Sequence, residues 1–600
     1  MGDKRNKIKH KKTRKQHLKS LNKRNIATPT PPPHPSPPSP HLQDTTSTHL
    51  ATSTPVATSS ASSTLTASAK KLDFSTHIEL NTVENGNEYM IVEKNSCLQW
   101  MRSIARCECG EKMNVKIKSD CGMVKTFQAE CELCSKQNSW CTSPGGVTDK
   151  YDVHRRAVTA GLHCGDGFVA VQKFCMAMNM NMLHHKTYSK LQKEIQDSSV
   201  KKYDEILEKT RKEVHRFLEE KNPSLPEVKE VKVTVDGSWS KRGFTSKYGF
   251  VSAIEYETGM VVDHVTLSKW CKVCALEEGK GRDREEWWPE HASQCEKNFD
   301  GSSPAMEMEG WKILFARSVE KCKLKYVCVV SDGDSKGFQA VKEMKPYGDD
   351  VEIRKEECTN HVAKRLGKAL LNLKLGGKKK GSLTNVTVKK MQNYFSQAVK
   401  KNTGDVDEMK KAVYATLRHC ASTEEQPQHS TCPAGEDSWC FVQRALAKDQ
   451  PIPPHKQHIH TPLRQDVLAK MIPVYKRIMT SHLLESCKGA TQNNNESLHN
   501  IIWTELPKTK FFGLQRMLYG VHRGVTKFNL GHAAAEVEGS GLFATKAAKE
   551  KDTTRIKNAK RKMECKEDRK RKKINAIHEE ENKKRVEGTT YEAGGAALPT

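Results

Sequence analysis

The chain has 600 residues and a formal net charge of +28, which is too long for one ordinary domain and implies roughly three or four units. The charge is uneven: residues 1–26 hold eleven Lys/Arg and one acid, residues 546–585 hold seventeen and eight, and the long middle is only mildly basic. Basic ends of this kind point to nucleic acid, nuclear import or both. The opening MGDKRNKIKHKKTRKQHLK has no apolar run, which excludes a secretory signal, and no stretch reaches the ~18 apolar residues of a membrane helix. The twenty cysteines are therefore expected in a reducing compartment, where paired cysteines hold metal more often than they form disulfides.

In chain order, residues 1–79 read as a disordered arm, because a basic run leads into TPTPPPHPSPPSP and a Ser/Thr/Ala tract. Residues 80–148 form a cysteine-rich, zinc-ribbon-like module expected to consist of short strands. Residues 149–225 read as helical: HRRAVTAGLHCGDGFVAVQKFCMAM has helical apolar spacing, and YDEILEKTRKEVHRFLEEK is an amphipathic helix stopped at Asn222-Pro223. Residues 226–374 begin with the alternating strand EVKEVKVTVDGSW. Two further strands follow, joined at Glu257-Thr258-Gly259, then a Cys/His insert at 270–300 and a helix over AMEMEGWKILFARSVEKC. LKYVCVVSDGD is a buried strand running out at Asp332, followed by helix, strand and helix. Residues 375–485 read as a mainly helical insertion, interrupted by a Pro/His/Cys-rich loop at 426–462. Residues 486–545 return as helices, and 546–600 form a disordered basic tail. The fold class is α/β. The order of elements from 231 is similar to that of a ribonuclease H-like core carrying a helical insertion.

Three acids stand at element ends. Asp236 closes the first core strand, where an Asp-Gly turn is the alternative reading. Asp332 closes the most apolar strand, and Asp334, two residues on, reads better as a helix N-cap. Glu496 opens a helix, where it also suits the helix dipole. Carboxylates at the ends of rigid strands suit hard divalent ions, which prefer oxygen ligands.

The segments VTVDGSWSKRG, GSSPAMEMEGWKIL, VVSDGDSKGF, KEECTNHVAKRLGK and TQNNNESLHNIIW resemble, in order, the Mutator-like transposase domain of animal mobile elements, over roughly residues 80–535. The resemblance implies an Asp-Asp-Glu triad at Asp236, Asp332 and Glu496, with Glu485 and Glu505 as alternatives for the third acid. It implies Mg2+ or Mn2+, double-stranded DNA as substrate, and cleavage and strand transfer at element ends by a nuclear homo-oligomer. It also matches Cys358 and His361 to the Cys-x2-His pair of the wider group. The alternative function is a domesticated, catalytically silent, zinc-containing DNA-binding protein. A zinc-based ubiquitin ligase would need eight interleaved ligands in one module, and no segment supplies them.

The cysteines form spaced groups. Cys271, Cys274, His291 and Cys295 read as Cys-x2-Cys-x16-His-x3-Cys in a polar insert, which is structural zinc spacing with no open position. Cys107, Cys109, Cys131 and Cys134 read as a ribbon with an unusually tight first pair, so that Cys97, Cys121 or Cys141 are possible substitutes. Cys358 and His361 supply two ligands only; a third site shared with His429, Cys432 and Cys440 is one reading, and one turn of helix with a capped His is the other.

Overall fold

A computed structural model describes residues 87–145, 151–165, 167–241, 246–333, 336–377, 379–436, 438–459, 461–540 and 545–561. The predicted arm over 1–79, Asp334, and the tail beyond 561 lie outside the described residues.

The N-terminal module is not built of strands alone. It opens on helix α1 (Lys94–Ile104), whose first free amides are taken up by Glu93, the carboxylate accepting from Asn95 N at 2.9 Å and Ser96 N at 2.6 Å. Local capping thus decides a segment in which cysteine density suggested strands. An antiparallel sheet follows, in the order β1 (Met113–Cys121), β2 (Val124–Cys131), β3 (Gln137–Cys141). The expected continuous helix after it is two, α2 (Asp152–His163) and α3 (Phe168–Ala177), because Gly165 and Gly167 take positive φ between them. Helix α4 (His185–Lys221) stops at Asn222, before Pro223.

The main sheet has five strands: β4 (Lys229–Trp239), β5 (Tyr248–Glu255), β6 (Val261–Ser268), β7 (Leu324–Ser331) and β8 (Arg354–Glu357). Their spatial order is β6-β5-β4-β7-β8. β4, β5 and β6 are antiparallel neighbours, whereas β7 runs parallel to β4 and β8 parallel to β7. Helices cover both faces, so β5 is buried along its whole length. Between β6 and β7 come α5 (Lys272–Gly279) and α6 (Arg284–His291) of the insert, then α7 (Ser303–Ala316) and α8 (Ser318–Cys322). Val251 and Ala253 meet α7 through Trp311, Leu314 and Phe315 on one face. Helix α7 lies very close to the sheet: a Cβ on its Gly310 would sit 2.4 Å from Val251 Cγ2.

Helix α9 (Lys336–Met344) connects β7 to β8, and α10 (Thr359–Asn372) follows β8. The inserted segment then supplies α11 (Asn385–Lys401), α12 (Val406–Ala421), α13 (Phe441–Ala447), α14 (His455–His458), α15 (Gln465–Ile478) and α16 (Ser481–Ser486). It shares one core with α10, built on Leu366, Leu370, Met391, Phe395, Val413, Leu417, Met471 and Tyr475. The chain returns to the sheet as α17 (Asn493–Glu505) and α18 (Leu514–Asn529), whose Leu498, Ile502, Met517 and Val521 pack on Tyr248 and Phe250 of β5.

The tail expected to be disordered from residue 546 is ordered over its described part. Residues 546–561 are helical, with Ala548 and Ala559 buried. Asp552 accepts from the first amides of α19 (His532–Ser540), His532 N at 2.7 Å and Ala533 N at 2.8 Å, while Arg555 donates to Phe528 O at 3.1 Å. These are two capping interactions, an acid at a helix start and a cation at a helix end, and charge counting does not reveal them. Among the described residues, no helix is long and apolar enough to cross a membrane.

Candidate functional site: an acidic centre and three cysteine–histidine clusters

The acidic centre forms past the end of β7 and beside it on β4. Asp236, expected to close its strand, lies inside it, paired with Ser252 of β5, because β4 runs on to Trp239. The parallel register pairs Thr234 with Val330, and carried on by two residues it sets Asp236 across from Asp332. Both acids stand toward the C-terminal ends of these two neighbouring inner strands. A third acid, absent from the sequence reading, joins them. Glu307 on α7 lies over β4, its Cγ 3.3 Å from where a Cβ on Gly237 would stand. Gly237 and Gly310 therefore let this helix approach closely enough to bring Glu307 to the strand end.

The electrostatics follow from crowding. Burial, then the charges of Glu307 and Asp332, push Asp236 up to about 8. The Asp236 side chain keeps 26% of its surface, so solvent moderates the effect without changing its direction. Burial and Asp332 raise Glu307 to about 7. Among the described residues, no Lys or Arg pairs with Asp236, Glu307 or Asp332.

Glu496 stands on the first turn of α17. That helix is tied to the sheet at both ends: Gln492 Nε2 donates to Val235 O at 3.2 Å, and Trp503 Nε1 donates to Ser238 Oγ at 2.8 Å. Asn360 Nδ2 also donates to Asn493 Oδ1 at 2.9 Å. One turn beyond Glu496, His499 Nδ1 lies 3.9 Å from Asp236 Oδ2. Burial, helped by Lys508, lowers His499 to about 4, so it is neutral at pH 7. Glu496 Oε1 accepts from Lys364 Nζ at 2.6 Å and lies 3.4 Å from His361 Nε2. The Cys358 sulfur pushes His361 up to about 9 against its burial, with Asp332 adding to the rise. One cationic histidine thus stands between Glu496 and the aspartates. The other candidate acids are elsewhere: Glu505 is buried against Arg523 Nε at 3.1 Å and Lys527 Nζ at 2.8 Å, and Glu485 is exposed on α16.

The donor set suits hard cations. It offers several carboxylates from rigid elements. The side-chain atoms Asn495 Nδ2 and Oδ1, His361 Nδ1 and His499 Nε2 around it are buried without a hydrogen-bond partner.

Three groups of sulfur and nitrogen atoms each lie within 4.8 Å of one another: Cys107, Cys109, Cys131, Cys134; Cys271, Cys274, His291, Cys295; and His419, His429, Cys432, Cys440. Tetrahedral zinc with bonds of about 2.3 Å to sulfur sets neighbouring sulfurs about 3.8 Å apart. Cys109 Sγ lies 3.6 Å from Cys131 Sγ and 3.8 Å from Cys134 Sγ. In the insert, Cys274 Sγ is 3.5 Å from Cys295 Sγ and 3.3 Å from His291 Nε2. All these cysteines are free thiols. Cys97, Cys121 and Cys141 stay outside the first group. The shared third site is a correction: Cys358 and His361 sit beside Glu496 and Gln492, and His419 completes the group with His429, Cys432 and Cys440. Cys358 is held there because it closes β8, its amide donating to Ser331 O at 3.0 Å.

Residues 88–440 match the family of Mutator-like transposases. The chain belongs to the Mutator-like transposase family. The match is shorter than the expected span of 80–535. It contains Asp236, Glu307, Asp332, Cys358, His361 and all three cysteine–histidine groups, while Glu496 lies beyond it. No curated protein and no solved structure matches this transposase-family chain. Membership implies DNA as the substrate class, and the three clusters are compatible with zinc.

Proposed function

We propose that the chain is a DNA transposase that cuts and joins strands at element ends, with Asp236, Asp332 and Glu496 holding Mg2+ or Mn2+. The observation that carries this reading is the pair of aspartates, Asp236 within β4 and Asp332 just past β7, on adjacent parallel strands, with no Lys or Arg paired to either among the described residues. The strand order β6-β5-β4-β7-β8, with three antiparallel and two parallel members and a helical insertion before the third acid, supports a ribonuclease H-like core. When bound, divalent cations activate the attacking water or 3′ hydroxyl and stabilise the leaving oxygen.

The chain's own groups have separate tasks. Asp236 and Asp332 are rigid ligands because the sheet holds their backbones. Glu496 is held in reserve by Lys364 and His361, whose positive charges offset it until a cation competes for its oxygens. Glu307 is a fourth acid, whose raised pKa suits it to exchange a proton near neutral pH. Around the centre, Lys508 stacks over Trp503 at 4.4 Å and Lys247 over Trp270 at 4.3 Å. Such cation–aromatic pairs suit a DNA backbone with unstacked bases. Cys107, Cys109, Cys131, Cys134 and Cys271, Cys274, His291, Cys295 hold structural zinc. The protein acts in the nucleus as a homo-oligomer, since two DNA ends must be held together.

The test is strand cleavage of element-end DNA by the full chain, with and without added Mg2+. Mg2+-dependent release of a 3′ hydroxyl end supports the reading. DNA binding with no cleavage in Mg2+ or Mn2+ puts the silent DNA-binding protein in its place.

A further inference from the structure

The group inside the helical insertion lies far along the chain from the acidic centre, and its geometry is independent of the catalytic reading. His419 is on the last turn of α12, and His429, Cys432 and Cys440 come from the loop before α13. His419 Nδ1 is 3.1 Å from His429 Nδ1 and 3.8 Å from Cys432 Sγ, and Cys440 Sγ is 3.5 Å from His429 Nδ1. All four side chains are buried, Cys440 completely. Both imidazoles thus turn the same ring nitrogen inward, toward the two sulfurs.

We propose that His419 Nδ1, His429 Nδ1, Cys432 Sγ and Cys440 Sγ form a third, structural zinc site. Three further observations support it. The outer nitrogen of His429 has its own partners: Nε2 lies 3.0 Å from Ser422 Oγ and 3.0 Å from His455 Nε2. That places the ring proton outside and leaves Nδ1 bare for a metal, the usual arrangement of a ligating histidine. His455 is itself tied down, its amide donating to Glu424 Oε2 at 3.0 Å. The surroundings are dry and aromatic. Trp439 and Phe441 contact the His419 ring at centroid distances of 4.9 and 5.9 Å, and four protein ligands that are all buried match a closed, structural site.

The charge balance also fits burial. Zinc binding displaces the two thiol protons to solvent, and two thiolates with two neutral imidazoles cancel the 2+ charge. A neutral centre is the set that a buried location tolerates best. The metal would staple the loop over 423–440 to the end of α12, which has little apolar core beyond Phe441, Val442 and Ile459.

The experiment is native mass spectrometry of the full-length protein, with zinc counted independently by elemental analysis. The expected content is three zinc ions per chain. Cys432→Ser with Cys440→Ser should lower the count by one, and Cys440→His, which keeps a ligand, should leave it at three. A second arm does not depend on that double variant folding. A chain with Cys109→Ser, Cys134→Ser, Cys271→Ser and Cys295→Ser should retain one zinc, lost on adding His419→Ala. Two zinc ions in the wild type with an unchanged count in the Cys432/Cys440 variant, or none retained in the second arm, overturns the proposal.

Discussion

The acidic centre and the cysteine–histidine clusters bring metal-type ligands together in opposite ways. Each cluster draws its ligands from one short stretch of chain: 107–134, 271–295 or 419–440. Its atoms are already at ligand spacing, and its thiolates match or outnumber the charge of a divalent cation. The acidic centre draws Asp236, Glu307, Asp332 and Glu496 from four elements across 260 residues. Its acids crowd with like charge, and the protonation of Asp236 and Glu307 relieves part of the repulsion. On the proposed function, the lesson is that structural metal sites are made complete, whereas a reactive one is left electrostatically unsatisfied so that cations and DNA phosphate can complete it.

The largest expected effect separates the two kinds of site. Asp236→Asn or Asp332→Asn should reduce Mg2+-dependent strand cleavage by more than ~1000-fold, as loss of a metal ligand does. Zinc content should stay unchanged. DNA binding should tighten in Asp332→Asn, which removes a negative charge facing phosphate, and hold in Asp236→Asn, whose carboxyl is already largely protonated near neutral pH without metal. Cleavage within tenfold of wild type would sink the assignment. Next, Cys271→Ser with Cys295→Ser should release one zinc and open α5 and α6 to proteolysis, since binding and folding of such an insert are coupled. A protease-resistant insert without zinc would erase the contrast drawn above.

Glu307→Gln tests the fourth acid. It should lower cleavage by ~10–100-fold, the usual cost of removing a group that tunes a metal ligand. It should also move the rise of rate with pH toward lower pH, because Asp236 loses a neighbouring charge. A lowered rate with an unmoved pH profile would reduce Glu307 to a packing residue.

A smaller effect is the pH dependence of stability without Mg2+. Asp236 has a folded pKa of about 8 against an ordinary 3.8. The folded state therefore holds the proton where the unfolded state has lost it, and stability falls as pH rises between roughly 4 and 8. Asp236→Asn should flatten that slope in urea unfolding, and added Mg2+ should oppose it in the wild type. An identical slope in the variant would remove Asp236 as its source. The smallest effect is expected from Trp503→Phe, which deletes the hydrogen bond to Ser238 and should cost ~1 kcal/mol while lowering cleavage by loosening α17.

What was readable beforehand follows the same divide. Cys271, Cys274, His291 and Cys295 could be grouped because their spacing closes a small loop of fixed geometry. Val231, Val233 and Val235 announced a strand by alternation, and Asp332 could be placed at the end of YVCVV. His419 escaped notice because it reads as a basic residue on a helix's last turn, ten residues before His429. Glu307 escaped because MEMEG holds two glutamates on a helix, and nothing in that run says which one faces a strand. Helix α1 and the packed helix over 546–561 were hidden by composition, since caps are single contacts.

The amino-acid sequence by itself determined the family, the order of strands and helices in the core from residue 231, and the ligand types of the two expected clusters. These depend on periodicity and short-range spacing, which the backbone imposes locally. Only the tertiary structure decided that Cys358 and His361 stand beside Glu496 and that His419 closes a third cluster. It alone decided that Glu307 lies over Gly237 beside the two aspartates. Those outcomes depend on a parallel register between β4 and β7, on glycines that let α7 approach, and on hydrogen bonds such as Gln492 to Val235 across 257 residues. Contacts of that range are fixed by packing, and no local pattern encodes them.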